Sequence, residues 1–200
     1  MLKLKKIAVT GGLSCGKTSV CRFFKALGAY VVSADEIVHQ LLSPSTTLGQ
    51  QVISLIGSDV VVNQQIDRSQ IAKKVFNQPQ LLQSLENLLH PQALKEIEKY
   101  YLEVSQKQLA PLFVVEIPLL FEIDADKFFD YTVAVIADQK ACRQRFIETT
   151  GYDKEEYDRR MARQLSPEEK AYRADYTITN NGALADMQPA VAELFKKLTQ

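Results

Sequence analysis

A segment near the N-terminus has the residue types and spacing of a phosphate-binding loop. Gly11, Gly16, Lys17 and Thr18 match the pattern G-x-x-x-x-G-K-[ST]. The glycines let the backbone wrap a phosphate with its N–H groups pointing inward. Lys17 then reaches the β- and γ-phosphates, and the Thr18 hydroxyl ligates Mg²⁺. We therefore predict that a nucleoside triphosphate is bound by Gly11, Gly12, Leu13, Ser14, Cys15, Gly16, Lys17, Thr18 and Ser19.

The elements on both sides of this loop are those that such a motif requires. The apolar run at residues 7–10 predicts a buried parallel strand. Apolar residues at helical spacing over 18–27 predict a helix that Gly28 ends. The N-terminus of that helix would direct N–H groups at the bound anion. The alternative, a glycine-rich turn that matches by chance, is disfavoured by this context.

The rest of the chain alternates between short apolar strands and helices. Further strands are predicted at 30–32, 112–115, 131–136 and 176–178, and helices at 35–42, from Asp138 onward and at 183–198. This alternation predicts an α/β fold with a parallel sheet.

Two helical segments interrupt the alternation. Residues 46–108 are predicted to be helical apart from an extended stretch at 60–62. Asp67 is predicted as a helix N-cap. Residues 140–173 are predicted to be helical and are rich in charge. We expect one main domain with helical insertions. Within residues 46–108 the predicted breaks are Gly57, 63–65, Pro79 and Pro91.

Composition and charge argue against several other classes of protein. Lys plus Arg and Asp plus Glu both total 24, so the formal net charge is +0 and nucleic acid is not expected as a partner. No apolar run approaches the ~20 residues that span a bilayer, which predicts no membrane partner. The apolar stretch after the basic N-terminus ends at Gly11, too early for a secretory signal. The three cysteines are expected as reduced thiols, so we predict a cytoplasmic protein.

The loop alone does not distinguish kinases from GTPases or motor ATPases. A GTPase would need a guanine-reading N-K-x-D segment, which the sequence lacks. A motor ATPase commonly has a strand that ends in Asp-Glu, whereas the strand at 112–115 is followed by Glu116-Ile117-Pro118. A small phosphotransferase fits the length of 200 residues better.

Motifs after the loop resemble the dephospho-coenzyme A kinase family, in order from residue 7 to 182. The P-loop is generic, but the His-Pro, P-L-L-F-E and A-D-x-x-I-x-N-x-G segments together are specific. The matching segments are Ser33-Ala34-Asp35 with His39, Asp67-Arg68 to Val75-Phe76, Leu85-Glu86 with His90-Pro91, Pro118-Leu119-Leu120-Phe121-Glu122, and Arg160, Gln164, Glu169-Lys170, Ala174-Asp175 and Asn180-x-Gly182.

The resemblance implies a reaction and an architecture. ATP, with Mg²⁺, would phosphorylate the ribose 3′-hydroxyl of dephospho-coenzyme A, giving coenzyme A and ADP. The implied fold is a three-layer P-loop NTP hydrolase-like fold with a five-stranded parallel sheet, in a monomer or weak homo-oligomer. Its regions would be a core (1–35, 110–138, 174–200), a helical substrate region (36–109) and a helical lid (139–173).

The resemblance also implies roles for particular residues. Asp35 would be the general base or a carboxylate on the Mg²⁺ side, although an N-cap on a helix from Glu36 is the alternative. Lys17, Arg145 and Arg160 would act on the transferring phosphoryl group, the two arginines from the lid. Asn180 and Gly182 would lie in the adenine-binding loop. The acceptor-side residues would be Asp35, His39, His90 at a helix start, and Pro118, Leu119 and Leu120, where an apolar core role for the leucines is the alternative.

Four residues depart from the family pattern. Ser33 replaces an Asp, so no second carboxylate is expected at that position, and Thr149 replaces a common Arg. Ser14 and Cys15 stand where Gly and Ser are usual. A thiol at a helix N-terminus beside Lys17 should have a lowered pKa, and we expect its modification to block ATP binding. The alternatives that stay open are another small-metabolite or nucleoside P-loop kinase and a catalytically silent nucleotide-binding protein.

Overall fold

The structure is a computed structural model that describes residues 3–76 and 78–200, without the side chain of Leu184. It divides into two compact units, Met1–Ser33 with Tyr101–Gln200 and Ala34–Tyr100. In chain order the elements are β1 (Lys5–Gly11), α1 (Lys17–Ala26), β2 (Tyr30–Ser33), α2 (Ala34–Leu41), α3 (Thr47–Ile56), β3 (Val61–Val62), β4 (Gln65–Ile66), α4 (Arg68–Val75), α5 (Pro79–Lys107), β5 (Leu112–Glu116), β6 (Tyr131–Ile136), α6 (Gln139–Thr150), α7 (Lys154–Met161), α8 (Pro167–Arg173), β7 (Tyr176–Thr179) and α9 (Leu184–Thr199), with short 3₁₀ turns at Ser58–Val60 and Asp126–Phe128.

The first unit is built on a five-stranded sheet with the order β2-β5-β1-β6-β7. All four strand pairs are parallel. The register places Glu116, the last residue of β5, beside Val9 of β1 and Ser33 of β2. Because parallel strands end at the same edge of a sheet, the carboxyl ends of β1, β2 and β5 present their following residues together. The predicted α/β fold with a five-stranded parallel sheet is confirmed.

The three central strands β1, β5 and β6 are mostly buried, as parallel strands covered by helices on both faces must be. Ile7, Val9, Val114 and Val133 have no exposed surface. Helix α1 packs against α9 and against β1, β2 and β5, and α8 packs against β1 and β6. The loops at the carboxyl edge of the sheet therefore rest on a rigid core.

The second unit contains α2 to α4, the first part of α5 and the antiparallel hairpin of β3 and β4. Asn63 (φ 49) and Gln64 (φ 63) form the hairpin turn, and positive φ at both central residues matches the twist of the two strands. The prediction of extended structure at 60–62 is thus confirmed for Val61–Val62 but wrong for Val60, which ends a 3₁₀ turn. The sequence analysis missed the partner strand β4.

Pro91 does not break a helix, contrary to the prediction. Helix α5 runs through it over 29 residues from Pro79 to Lys107. Proline removes one backbone hydrogen bond and crowds the preceding turn. Buried residues on both sides, Leu85 at 5% exposure and Ile97 at 1%, keep the two halves packed, and this packing outweighs the local cost.

Several helix ends lie where the sequence predicts them. The Asp67 carboxylate accepts from Ser69 N at 2.7 Å at the start of α4, and Asp138 caps α6 through Ala141 N at 3.0 Å. Gly28, with φ +97°, follows the end of α1. No helix in the described part of the chain is both long and apolar enough to cross a membrane.

Candidate active site

The segment between β1 and α1 has the backbone of a phosphate loop. Gly11, Ser14 and Gly16 adopt positive φ values of 143°, 56° and 106°. A Cβ on Gly11 would overlap the Val135 carbonyl oxygen, and one on Gly16 would overlap the side-chain amide of Asn180. Only glycine therefore fits at both positions. Helix α1 begins directly after the loop and places its unpaired N–H groups there, where an anion is favoured.

The Lys17 side chain lies over this loop. Its ammonium donates to the carbonyl oxygens of Gly12 at 2.8 Å and Gly11 at 3.2 Å. The residue is only 8% exposed, so packing around its apolar stem holds the side chain in place. The positive charge is thereby held beside the concave backbone that would enclose a phosphate.

A cleft of about 590 Å³ opens on the loop. It brings together most of the predicted nucleotide-binding residues with one of the two predicted catalytic arginines. Its volume is in the range of small-molecule sites. The residues that line it are Ser14, Gly16, Lys17, Thr18, Ser19, Arg145, Thr149, Asn180 and Gly182.

Ser14 and Cys15, the atypical residues of the loop, each carry a cost that the sequence does not reveal. Ser14 adopts a left-handed conformation that costs a non-glycine residue about 1–2 kcal/mol. The Cys15 side chain is buried, and burial raises the pKa of its thiol although the nearby Lys17 ammonium acts in the opposite direction. The predicted lowering of this pKa is therefore wrong, because lost hydration outweighs the neighbouring positive charge. We still predict that modification of Cys15 blocks ATP binding. Because the pKa of this thiol is raised, an activated thiolate no longer supports that prediction.

Asn180 follows β7 and ties it to the phosphate loop. Its Nδ2 donates to the Cys15 carbonyl oxygen at 2.8 Å, and its backbone N–H donates to Ile136 O at 2.8 Å. Its own carbonyl accepts from the Arg145 guanidinium at 3.3 Å. The residue is 3% exposed, so the amide reaches the loop backbone rather than open solvent. The geometry gives Asn180 a role in shaping the loop, in addition to the predicted place in an adenine-binding segment.

Changing Asn180 to Asp should weaken ATP binding by about tenfold, because a buried carboxylate cannot donate to the Cys15 carbonyl. Binding is measured by titration with a fluorescent ATP analogue. Asn181→Asp is the matched control, since the Asn181 Oδ1 atom is an acceptor from Asp138 N at 2.7 Å and a carboxylate keeps that role. Equal affinities for the two variants would contradict the role assigned to Asn180.

Glu116 is a site residue that the sequence analysis noted only as a strand end. Its Oε1 accepts from the Thr18 hydroxyl at 3.0 Å. It lies beside Ser33 in the register, so β5 supplies a carboxylate next to the position where the family resemblance led us to expect one on β2. The available signal was a carboxylate directly after a buried strand, at the edge where ligands bind in such sheets.

The two predicted catalytic arginines lie in different surroundings. Arg145 lines the cleft and contacts Asn180. Arg160 is exposed, pairs with Glu156 Oε1 at 2.7 Å and lies 5.0 Å from the ring centre of Tyr152. The structure thus places Arg145, and not Arg160, among the residues that line the cleft.

The residues after β5 divide between surface and core. Pro118 and Leu119 are partly exposed, whereas Leu120 has no exposed surface. The core alternative is therefore favoured for the Leu120 side chain. The Pro118 carbonyl oxygen accepts from Thr10 Oγ1 at 3.2 Å and from Lys170 Nζ at 2.6 Å, which fixes the start of this segment.

The remaining predicted residues belong to the second unit. Asp35 and His39 are exposed on α2, and Asp35 lies within its first turn rather than before it, which contradicts the N-cap alternative. His90 lies inside α5, so its prediction as a residue at a helix start is wrong for the same reason as the break at Pro91. Burial lowers the pKa of the His90 imidazole, against the opposing effect of Glu86. The burial of His90 therefore favours its neutral form.

Comparisons with known proteins give matches over nearly the whole chain. The family model described as dephospho-CoA kinase matches residues 5–186. A dephospho-CoA kinase of Protochlamydia amoebophila is 50% identical over 199 residues, covering 99% of this chain and 98% of the relative. The crystal structure of TT1252 from Thermus thermophilus matches with a TM-score of 0.84 at 27% identity, covering 100% of both chains. A dephospho-CoA kinase from Campylobacter jejuni matches with a TM-score of 0.71 at 25% identity, covering 97% of this chain and 96% of that one.

Proposed function

The chain belongs to the dephospho-CoA kinase family, and on that premise we propose that it transfers the γ-phosphoryl group of ATP to the ribose 3′-hydroxyl of dephospho-coenzyme A. The products are coenzyme A and ADP. The observation that carries the proposal is the cleft in which the phosphate loop, Lys17 and Arg145 meet. Phosphoryl transfer depends mainly on positioning and on stabilising charge, which is what these residues provide.

Lys17 and Arg145 are assigned to the phosphates. Both cations face the cleft, where positive charge stabilises the oxygens that gain charge during transfer. Asn180 and Gly182 at the same cleft are assigned to the adenosine end of ATP. Arg160 is assigned to the closed state of the lid, in which it leaves its pair with Glu156.

Asp35 is assigned as the general base. It would accept the proton of the 3′-hydroxyl as the hydroxyl oxygen attacks the γ-phosphorus and ADP leaves. Its carboxylate is exposed and follows the end of β2 by two residues. We assign acceptor binding to His39, His90, Pro118 and Leu119. Because the Leu120 side chain is buried, only its backbone is assigned to the same role.

Thr18 and Glu116 are the residues that would hold Mg²⁺. A hydroxyl and a carboxylate 3.0 Å apart offer the oxygen ligands that this ion takes. The described residues contain no group of three or more His, Cys, Asp and Glu that could hold a metal. Nucleotide phosphates and water would therefore complete the site, as is usual for Mg²⁺ in kinases. The ion, when bound, neutralises charge on the phosphate oxygens.

Changing Glu116 to Gln should raise the Mg²⁺ concentration needed for half-maximal rate by about tenfold or more, because an amide is a weaker ligand and orienting partner than a carboxylate. The variant should bind ATP normally without Mg²⁺ and lose the strengthening of ATP binding that Mg²⁺ produces. Glu193→Gln, at an exposed position of α9, is the control. An unchanged Mg²⁺ requirement in Glu116→Gln would remove Glu116 from the metal site.

The setting of the reaction is also a proposal. We assign the chain to the cytosol, as a monomer or weak homo-oligomer that binds neither nucleic acid nor membrane. Its balanced charge and three free, buried cysteines support this assignment.

The deciding experiment measures ADP release by a coupled assay with dephospho-coenzyme A, gluconate, shikimate, uridine and AMP as separate acceptors. Release should depend on dephospho-coenzyme A, and its product should gain one phosphoryl group by mass spectrometry. Faster release with another acceptor would make the chain a different small-metabolite kinase. ATP binding without release for any acceptor would make it a silent nucleotide-binding protein.

A further inference from the structure

Lys170 is a lysine that the proposed chemistry does not use, and it has no exposed surface. Its ammonium donates to Pro118 O at 2.6 Å and to Gln164 Oε1 at 3.5 Å, and pairs with Glu122 Oε1 at 3.0 Å. An ammonium carries three N–H donors, and these three oxygens use all of them. Lys170 therefore has no donor left for a nucleotide, in contrast to Lys17 at the mouth of the cleft.

Glu122 joins the same network from the other side. Its Oε1 also accepts from Leu165 N at 2.8 Å, in the chain between α7 and α8. The carboxylate thus connects the end of the segment that follows β5 to the start of α8. Burial lowers the pKa of the Lys170 ammonium, and the pair with Glu122 opposes that shift.

The network extends to the phosphate loop. The Pro118 carbonyl that receives the Lys170 ammonium also accepts from Thr10, which precedes Gly11. Gly12 faces α7 and α8 so closely that a Cβ there would contact Met161 and Pro167 at 3.8 and 3.9 Å. The phosphate loop, the segment after β5 and the start of α8 therefore meet at one buried ion pair.

Stability alone does not account for such a pair. Removing two charges from water costs about as much as their attraction returns, and replacement by neutral residues of similar size is often neutral. In some proteins a buried pair instead fixes a single defined arrangement of the segments that it joins.

We propose that Glu122 and Lys170 are positioning residues: their buried ion pair fixes the segment from Pro118 to Leu120 against the phosphate loop, so that the acceptor is held at the right distance from ATP. Helix α8, which carries Lys170, belongs to this fixed frame. This inference rests on the proposed function, which assigns the segment to the acceptor.

The test separates positioning from stability with the nearly isosteric variants Glu122→Gln, Lys170→Met and their combination. Each single change leaves one buried charge unpaired and should lower Tm by roughly 10 °C. The double variant is neutral, keeps an acceptor for Leu165 N, and should recover most of that loss. Its kcat/KM for dephospho-coenzyme A should nevertheless fall about 10- to 100-fold, since small misplacement of substrate slows transfer. ATP affinity should change less than about threefold.

The control replaces an exposed pair of the same residue types. The Lys107 Nζ and Glu103 Oε1 atoms on α5 lie 2.6 Å apart, and Glu103→Gln with Lys107→Met should leave Tm and kinetics near those of the wild type.

Wild-type kinetics in the Glu122/Lys170 double variant, or equal losses of ATP affinity and acceptor kinetics, would overturn the inference. If the double variant melts below the assay temperature, Glu122→Asp decides, because it keeps the charge but shortens the side chain. Unchanged acceptor kinetics there would overturn the inference as well. A wild type that does not phosphorylate dephospho-coenzyme A refutes the proposed function itself, which distinguishes the two failures.

Discussion

Replacing Lys17 with methionine should lower kcat by about 10²- to 10³-fold, because one preorganised cation at the developing charge of a transition state is worth that much. Methionine keeps the apolar stem that is packed in the loop and removes only the ammonium that contacts Gly11 and Gly12. The fold should therefore persist. The measurement is kcat at saturating ATP and dephospho-coenzyme A, with Tm recorded for the same preparation.

Lys25→Met is the matched control for this change. It makes the same substitution on the same helix, at an exposed position of the last turn. Wild-type kcat in this control excludes a general effect of lost charge. If Lys17→Met retained a rate within about threefold of the wild type, phosphate binding by this ammonium would have no part in catalysis.

Local patterns in the sequence were sufficient to predict many elements of both units. The apolar run at 131–136 coincides with β6, and the cap residues Asp67 and Asp138 lie where the helices begin. These features depend on neighbours within a few residues, so that composition and periodicity reveal them. The phosphate loop belongs to this class, since its strand, turn and helix are contiguous.

Features that depend on distant partners were not predictable in the same way. The Asn180 amide meets Cys15 across 165 residues of sequence, and Glu116 meets Thr18 across 98. Whether the pKa of the Cys15 thiol is lowered or raised depends on its burial, which no local sequence pattern reveals. The continuity of α5 through Pro91 also depends on distant contacts, because packing on both sides of Pro91 outweighs the local tendency of proline to break a helix.

Arg160 can be a catalytic residue although it lies outside the cleft lining. Its side chain is 44% exposed, although that of its partner Glu156 is only 15% exposed. Surface ion pairs typically contribute only about 0–1 kcal/mol. Its guanidinium also lies over the rings of Tyr152 and Phe146, at 5.0 and 5.6 Å from their centres, and each such contact is worth about 0.5–1 kcal/mol at an exposed site. A closing lid could break these contacts at a cost that one phosphate interaction would offset. The proposed role of Arg160 in a closing lid therefore requires the loss of only weak contacts.

Replacing Asp35 with asparagine should lower kcat by about 10²- to 10⁴-fold, the range expected when a general base is removed. The carboxylate is exposed in the first turn of α2, so the change should cost less than about 0.5 kcal/mol of stability. Asparagine has nearly the same shape and can still contact a hydroxyl, but it cannot take the proton. A loss of kcat with a nearly unchanged KM for dephospho-coenzyme A is therefore the expected result in steady-state kinetics.

Glu36→Gln is the matched control for Asp35→Asn. Glu36 is exposed in the same turn of α2, so its loss removes the same charge from the same helix N-terminus. The interaction of that charge with the helix dipole is worth only about 0.3–1 kcal/mol, and its loss alone should change kcat less than tenfold. Similar losses of kcat in both variants would mean that Asp35 acts through the helix. A large loss in Asp35→Asn alone is what proton transfer to this carboxylate requires.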